Sequence, residues 1–126
     1  MKSAYVSFIL MLCLLSAIII NQNVFKIYTD EMLVTLEKIR VSAEQGKIDE
    51  AVDSMAEYNT LLDRYKPFIS LSVRHDEIDR INESSAKTIE FLFSNSMPEF
   101  KAEIATLMVL INHINEFQKI NLKNIL

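Results

Sequence analysis

The order of apolar and polar positions divides the chain into an unbroken apolar segment followed by a longer part with helical periodicity. Residues 3–24 carry no charged side chain and are almost all apolar, with Lys2 before them and Lys26 after them. About 20 consecutive apolar residues are enough for a helix to cross the hydrocarbon core of a bilayer. The pattern therefore predicts an uncleaved transmembrane anchor over residues 1–25.

Two other interpretations of this segment are a cleaved signal peptide and a buried core helix. A signal peptide has an apolar region of roughly 7 to 15 residues that ends in a small-x-small cleavage site. The apolar run here is longer, and its small pair, Ser16–Ala17, is followed by further isoleucines. Length and sequence therefore favour the anchor.

The charges around the anchor bear on its orientation. The short N-terminal tail carries Lys2 and the terminal amine, whereas Lys26 on the other side is followed by Asp30 and Glu31. Lysine and arginine are in excess on the cytoplasmic side of membrane proteins. We therefore expect a single-pass protein of the cell membrane with its N-terminus in the cytoplasm and the rest of the chain outside.

Residues 26–126 have the size of one small domain, and their spacing predicts four helices. The segment contains one glycine, Gly46, and two prolines, Pro67 and Pro98. Gly46 suits a left-handed helix end, Pro67 removes a backbone donor, and Pro98 suits the first turn of a helix. We expect a kink or short connection at residues 66–72, because Pro67 interrupts the second helix there.

Apolar positions three and four residues apart define the inward faces of these helices. The predicted core positions are Phe25, Tyr28, Met32, Leu36, Ile39, Ala43, Ile48, Ala51, Met55, Tyr58, Leu62, Tyr65, Leu71, His75, Ile78, Ile81, Ser85, Ile89, Leu92, Phe100, Ile104, Leu107, Ile111 and Ile114. The sequence predicts an all-α fold, in which a transmembrane helix precedes a small antiparallel bundle of two αα-hairpins at about residues 29–66 and 73–121. The first hairpin pairs Tyr28 with Tyr65. Its first helix either continues the anchor or restarts near Thr29.

The fourth helix is apolar around its whole circumference in its middle part. No charged residue occurs between Ile104 and Ile114. A helix of this kind needs neighbours on more than one side. One neighbour is the third helix, and the other is the first hairpin or, alternatively, another protein. Met108, Val109 and Leu110 are the candidate residues for an interaction surface.

Composition narrows the classes of partner. The formal net charge is −4 at pH 7, and no basic stripe is present, so we expect neither nucleic acid nor an anionic membrane surface as a partner of the helical domain. The single cysteine, Cys13, lies within the anchor, so no disulfide can form within one chain.

Few residues are candidates for chemistry. The chain has no glycine-rich phosphate loop, paired-cysteine metal motif, nucleophile elbow or zincin helix. Pairing of the third and fourth helices brings His113 near Asp79, one turn from His75, and two imidazoles with a carboxylate can bind a divalent metal. The alternative, which we favour, is a histidine hydrogen-bonded at a helix end beside acids on a solvated face. We therefore expect neither enzymatic activity nor a cofactor.

The overall pattern is similar to a known family. A short anchor precedes a helical domain of about a hundred residues, in which His75-Asp76-Glu77-Ile78 opens the third helix and Leu122-Lys123-Asn124-Ile125-Leu126 ends the chain. The chain resembles an uncharacterised family of small anchored helical proteins from Gram-positive, especially clostridial, bacteria, catalogued as a domain of unknown function. The resemblance implies a location in the cell membrane and association with a multi-span membrane protein, and it implies no activity.

These observations favour a membrane-anchored, non-catalytic helical interaction module, an extracytoplasmic accessory subunit of a membrane protein complex. Its expected partners are the lipid bilayer through residues 3–24 and an integral membrane protein or further copies of the chain. The alternatives are a sensor-type ligand-binding bundle and a metal-binding protein or hydrolase.

Overall fold

Four helices build the protein. The computed structural model describes the backbone of residues 1–125 and the side chains of this range except those of Ser72 and residues 117–125. The helices are α1 (Lys2–Glu44), α2 (Ile48–Ser72), α3 (His75–Phe93) and α4 (Met97–Ile125). Each helix packs against two others, α1 against α2 and α4, and α3 against α2 and α4. The described residues contain no strand, so the predicted all-α bundle is confirmed.

Each of the two hairpin turns contains one residue with a positive φ. Gly46 has a φ of 75° after α1, and Asn95 has a φ of 57° after α3. At each turn the next amide donates back to the helix, from Lys47 N to Ser42 O at 2.9 Å and from Ser96 N to Phe91 O at 3.0 Å. Glycine and asparagine adopt this left-handed conformation more readily than other residues. The predicted turn at Gly46 is confirmed.

The bundle core follows most of the predicted stripes. Every predicted position in α4 is buried. The same holds for α1 except the half-buried Tyr28, and for α2 except the half-buried Ile48 and the exposed Leu71, which was predicted as part of the third helix. Among the largest fully buried side chains are Leu36, Tyr58 and Ile104. The core therefore combines side chains from both hairpins, and it ends on α1 at Phe25.

Of the kink or short connection predicted at residues 66–72, the connection is wrong. Helix α2 continues through Pro67 to Ser72, and the chain turns at Val73 and Arg74. A proline inside a helix destabilises it by about 3 kcal/mol. Each large apolar side chain that becomes fully buried stabilises the fold by roughly 1.5–3 kcal/mol. Tyr65 and Ile69 are 4 % and 5 % exposed, so packing before and after the proline keeps the helix intact.

The predicted inward face of the third helix is also partly wrong. Leu71 is 87 % exposed, and His75 is exposed as well, because α3 begins only at His75. The buried residues of α3 include three hydroxyl side chains, and they are Ile81, Ser84, Ser85, Thr88 and Leu92. Ser85 and Thr88 donate to the carbonyls of Ile81 and Ser84 at 2.7 and 2.8 Å, so their burial leaves no donor unpaired.

Helix α1 is continuous from the apolar segment into the bundle. Its 43 residues run from Lys2 to Glu44 without a break. At a rise of about 1.5 Å per residue, such a helix is about 65 Å long. Of the two possibilities for the first helix of the bundle, the structure therefore shows that it continues the apolar segment.

Candidate functional site

The apolar segment of α1 lies outside the bundle. Its most apolar 18-residue window has a mean hydropathy of 2.5, and none of that window is buried. Leu14 and Ile19, for example, are 65 % and 57 % exposed. A core helix of a soluble protein would be largely buried. The described chain thus has one helix that is long and apolar enough to cross a membrane.

The part of α1 inside the bundle also carries an exposed apolar row. Ile27, Val34 and Val41 are spaced seven residues apart and are 55 %, 69 % and 38 % exposed. Seven residues make nearly two helical turns, so the three side chains lie in one row along the outside of the helix. We call this row the outer column of α1. Ile20, 61 % exposed, continues the spacing into the apolar segment.

A groove between α1 and α2 borders the outer column. Its lining residues are Ile27, Asp30, Glu31, Val34, Thr35, Glu57 and Leu61. Three of them are carboxylates, and Lys38 lies 3.6 Å from Glu57 in an exposed ion pair. This face of the protein is therefore apolar along one line and acidic beside it.

Further along α1, the carboxylates are neutralised within the helix. Arg40 pairs with Glu37 and with Glu44, and the second of these pairs spans 3.5 Å. The hydrogen bond from the Arg40 guanidinium lowers the pKa of Glu37. The acidic character of this face is thus concentrated in the groove, on the side of the bundle from which the apolar segment emerges.

Two tyrosines fix α1 to α2 at that end of the bundle. The rings of Tyr28 and Tyr65 stack with centroids 3.4 Å apart, which confirms the predicted pairing. The Tyr65 hydroxyl donates to Glu31 Oε2 at 2.6 Å. Burial and this nearby carboxylate raise the pKa of Tyr65. The contact therefore holds the register of the two helices where the bundle meets the apolar segment.

A second polar cluster lies in the interior. Tyr58, fully buried, shares a hydrogen bond of 2.8 Å with Ser85, and Ser84 donates to Glu103 Oε1 at 2.8 Å. Among the described side chains, no buried nitrogen or oxygen lacks a hydrogen-bond partner. These groups link α2, α3 and α4 to one another and stabilise one arrangement of the helices.

The residues considered for a metal site do not form one. His75 and Asp79 are exposed on α3. His113 is exposed on α4 and lines a cavity of about 60 Å³ together with Glu77. Among the side chains that the structure describes, no group of three His, Cys, Asp or Glu residues is placed to hold a metal ion. The inward placement predicted for His75 was wrong, because α3 turns its hydroxyl-bearing face inward and leaves His75 outside.

The residues predicted as an interaction surface on α4 are only partly accessible. Val109 is 66 % exposed, whereas Met108 and Leu110 are half-buried. Helix α4 packs against both α1 and α3. The expected second neighbour of this helix is therefore the first hairpin of the same chain, and Val109 is the member of the trio that stays exposed.

The outer column was not found from the sequence, although the sequence contains a signal for it. Ile27, Val34 and Val41 lie off the buried stripe and are β-branched residues at a strict spacing of seven. A coiled-coil seam has two apolar positions in every seven residues, and the outer column supplies one of the two. A search for apolar positions outside the core stripe of α1 would have identified them.

The architecture defines a class of protein, and a family model matches most of the chain. The chain is a small all-helical protein with one N-terminal helix that is long and apolar enough to cross a membrane. The model of the family named Domain of unknown function (DUF4363) matches residues 19–125, and the protein belongs to this family. Searches of curated proteins and of solved structures gave no match.

Proposed function

We propose that the protein is a membrane-anchored, non-catalytic helical module that binds an integral membrane protein outside the cytoplasm. Residues 1–25 form the anchor and residues 26–126 the binding domain. The observation that carries the proposal is the two-part environment of α1: no residue of the most apolar window is buried, and the helix then becomes a core helix of the bundle. A bilayer supplies the apolar surroundings that the first part lacks.

Continuity of α1 supports an anchor that is retained. The helix passes from the apolar segment into the core without interruption, and Phe25, directly after the segment, is 2 % exposed. The family match begins at residue 19, inside the apolar segment, so the family shares the end of this segment together with the bundle. Both observations favour a segment that works as part of the folded protein.

The outer column supports a helical partner. Its spacing continues at Ile20 into the apolar segment, so a helix that packs on the column lies partly in the membrane and partly outside it. The acidic groove beside Ile27 favours lysine or arginine on that partner, because opposite charges match across interfaces. A membrane-spanning helix of another protein that extends beyond the bilayer meets both conditions.

Two further observations support an interaction role over ligand sensing. The interior hydroxyl and carboxyl groups, such as Tyr58 and Ser85, pair with each other. The cavity beside His113 has a volume of about 60 Å³. Pockets for small ligands measure roughly 300–1,000 Å³, so this cavity is too small for one. The groove between α1 and α2 is larger, about 560 Å³, but it is a wide surface groove and not an enclosed pocket.

Site-specific photocrosslinking in cells tests the proposal. A photoreactive amino acid replaces Val34 in the outer column of the full-length protein. The control carries it at Ala86, which is also exposed but lies on α3, a helix that does not flank the groove. We expect an integral membrane protein to be crosslinked from Val34 and not from Ala86. Crosslinks only to a second copy of the chain, or to no protein at either position, would refute this partner.

A further inference from the structure

The end of the bundle next to the anchor is uncharged on α2 as well as on α1. Between Lys66 and Arg74, the sequence Pro-Phe-Ile-Ser-Leu-Ser-Val carries no charge. It comprises the last turns of α2 and the turn into α3. We call residues 67–73 the tip.

The stacked tyrosines fix the height of the tip relative to the anchor. Helices α1 and α2 are antiparallel, and Tyr65 lies beside Tyr28. Both helices rise about 1.5 Å per residue, so four residues further along α2 lie level with four residues earlier along α1. Ile69 is therefore level with Val24, and Leu71 is two residues closer to the membrane. The half-buried state of Val24 agrees with cover by α2 at this height.

The tip thus reaches the level at which the uncharged part of α1 ends. Residues 3–24 measure about 33 Å as a helix, slightly more than the hydrocarbon core of about 30 Å. The end of this stretch, including the polar Asn21 and Asn23, accordingly falls in the interfacial layer of the bilayer. Leu71 lies in the same layer.

The side chains of the tip fit such a layer. Leu71 is 87 % exposed and Phe68 is 48 % exposed. Apolar and aromatic side chains of this kind insert roughly 5–10 Å into the boundary between headgroups and acyl chains. Lys66 and Arg74 border the tip, and long cationic side chains extend into the headgroup region while their stems stay apolar.

We propose that the tip is a second membrane contact, in which Phe68 and Leu71 insert into the interfacial layer beside the anchor. The inference rests on the proposed membrane anchor. The tip contacts the lipid surface itself, and this contact is apolar. Because Phe68 and Leu71 are uncharged, this contact does not require anionic lipid.

Tryptophan quenching by lipid tests the inference on the full-length chain. The protein contains no tryptophan, so each introduced tryptophan is the only one. Phe68→Trp probes the tip, Leu14→Trp probes the anchor, and Phe93→Trp is the matched control. Phe93 is 67 % exposed and lies beside the other end of the bundle, at the turn between α3 and α4. Each variant is reconstituted into phosphatidylcholine vesicles with or without brominated acyl chains.

We expect brominated lipid to reduce the emission of Leu14→Trp strongly, that of Phe68→Trp partly, and that of Phe93→Trp not at all. Leu71→Trp should be quenched to a similar degree as Phe68→Trp. Because Leu71 is nearly fully exposed, this variant keeps the test valid if Phe68→Trp does not fold. Quenching of Leu14→Trp, with Phe68→Trp and Leu71→Trp no more quenched than Phe93→Trp, would overturn the tip contact alone. If Leu14→Trp is not quenched either, the anchor itself is refuted.

Discussion

The hydrogen bond between Tyr58 and Ser85 allows a sharp test of how the interior is held together. Ser85 Oγ donates its proton to Ile81 O at 2.7 Å, so in the 2.8 Å contact with Tyr58 it is the tyrosine hydroxyl that donates. The two side chains are therefore not equivalent. Removing the acceptor leaves a buried donor without a partner, whereas removing the donor leaves a serine that still donates to its own helix.

The expected free energies differ accordingly. Tyr58→Phe loses one hydrogen bond, worth about 0.5–1.5 kcal/mol net, whereas Ser85→Ala leaves the Tyr58 hydroxyl buried and unpaired at a cost of about 1–3 kcal/mol. The double variant should be more stable than Ser85→Ala alone, because it contains no unpaired donor. For a domain of this size, 1 kcal/mol lowers the melting temperature by roughly 4–8 °C.

Thermal unfolding of the full chain in mild detergent, followed by circular dichroism, measures these differences. The three variants and the parent protein form a double-mutant cycle. If Ser85→Ala unfolds at the same temperature as Tyr58→Phe, or if the double variant is the least stable of the three, then the assigned direction of the hydrogen bond is wrong.

The same tyrosine predicts a pH dependence. Burial raises the pKa of Tyr58 from 10.0 to about 12. The folded protein thus holds this proton more tightly than the unfolded chain does. The stabilisation is fully present below pH 10 and is lost as the pH rises through about 12. Between these values, the melting temperature of Tyr58→Phe should fall less steeply than that of the parent protein.

Further predictions concern the turns, the interrupted helix and the orientation. Gly46→Ala should destabilise the bundle by about 1–2 kcal/mol in urea unfolding, because alanine is strained at a φ of 75° even though no atom lies within 4 Å of the added methyl group. Pro67→Ala should stabilise the bundle by roughly 1–3 kcal/mol, whereas Pro98→Ala, in the first turn of α4, should change its stability little. Equal stability changes in the two variants would show that Pro67 does not strain α2. In a Cys13→Ser background, Lys101→Cys should react with a membrane-impermeant maleimide in intact cells. Reaction only after lysis would reverse the proposed orientation.

Periodicity was enough to predict the parts of the fold that apolar burial decides. The stripes of α1, α2 and α4 identify the core because their inward positions are large apolar side chains such as Leu36 and Ile104, both 0 % exposed. The pairing of Tyr28 with Tyr65 followed from the spacing on either side of Gly46, the glycine at the turn. Where the apolar spacing within a helix agrees with the pairing between helices, a single sequence is sufficient to predict the fold.

The failures occurred where packing outweighs a local preference. Pro67 is a helix breaker by its own chemistry, but Ile69 beyond it is buried in the core, and a single sequence does not show which effect is larger. On α3, Ser84 and Thr88 are buried although they are polar, because their hydroxyls bond to carbonyls of the helix and to Glu103. Hydropathy alone counts such residues as exposed, and it therefore shifted the predicted face toward His75.

Because α1 is continuous, a tilt of its apolar segment displaces the far end of the bundle. From Phe25 to Glu44 its bundle part measures about 30 Å, so tilting the helix by about 10° moves the far turn sideways by about 5 Å. If the apolar segment spans a bilayer as proposed, a thinner hydrocarbon core favours a larger tilt of this helix. With no glycine or proline in α1 to act as a hinge, the tilt reaches the whole bundle. The proposed anchor would in that way couple bilayer thickness to the angle at which the bundle meets a partner.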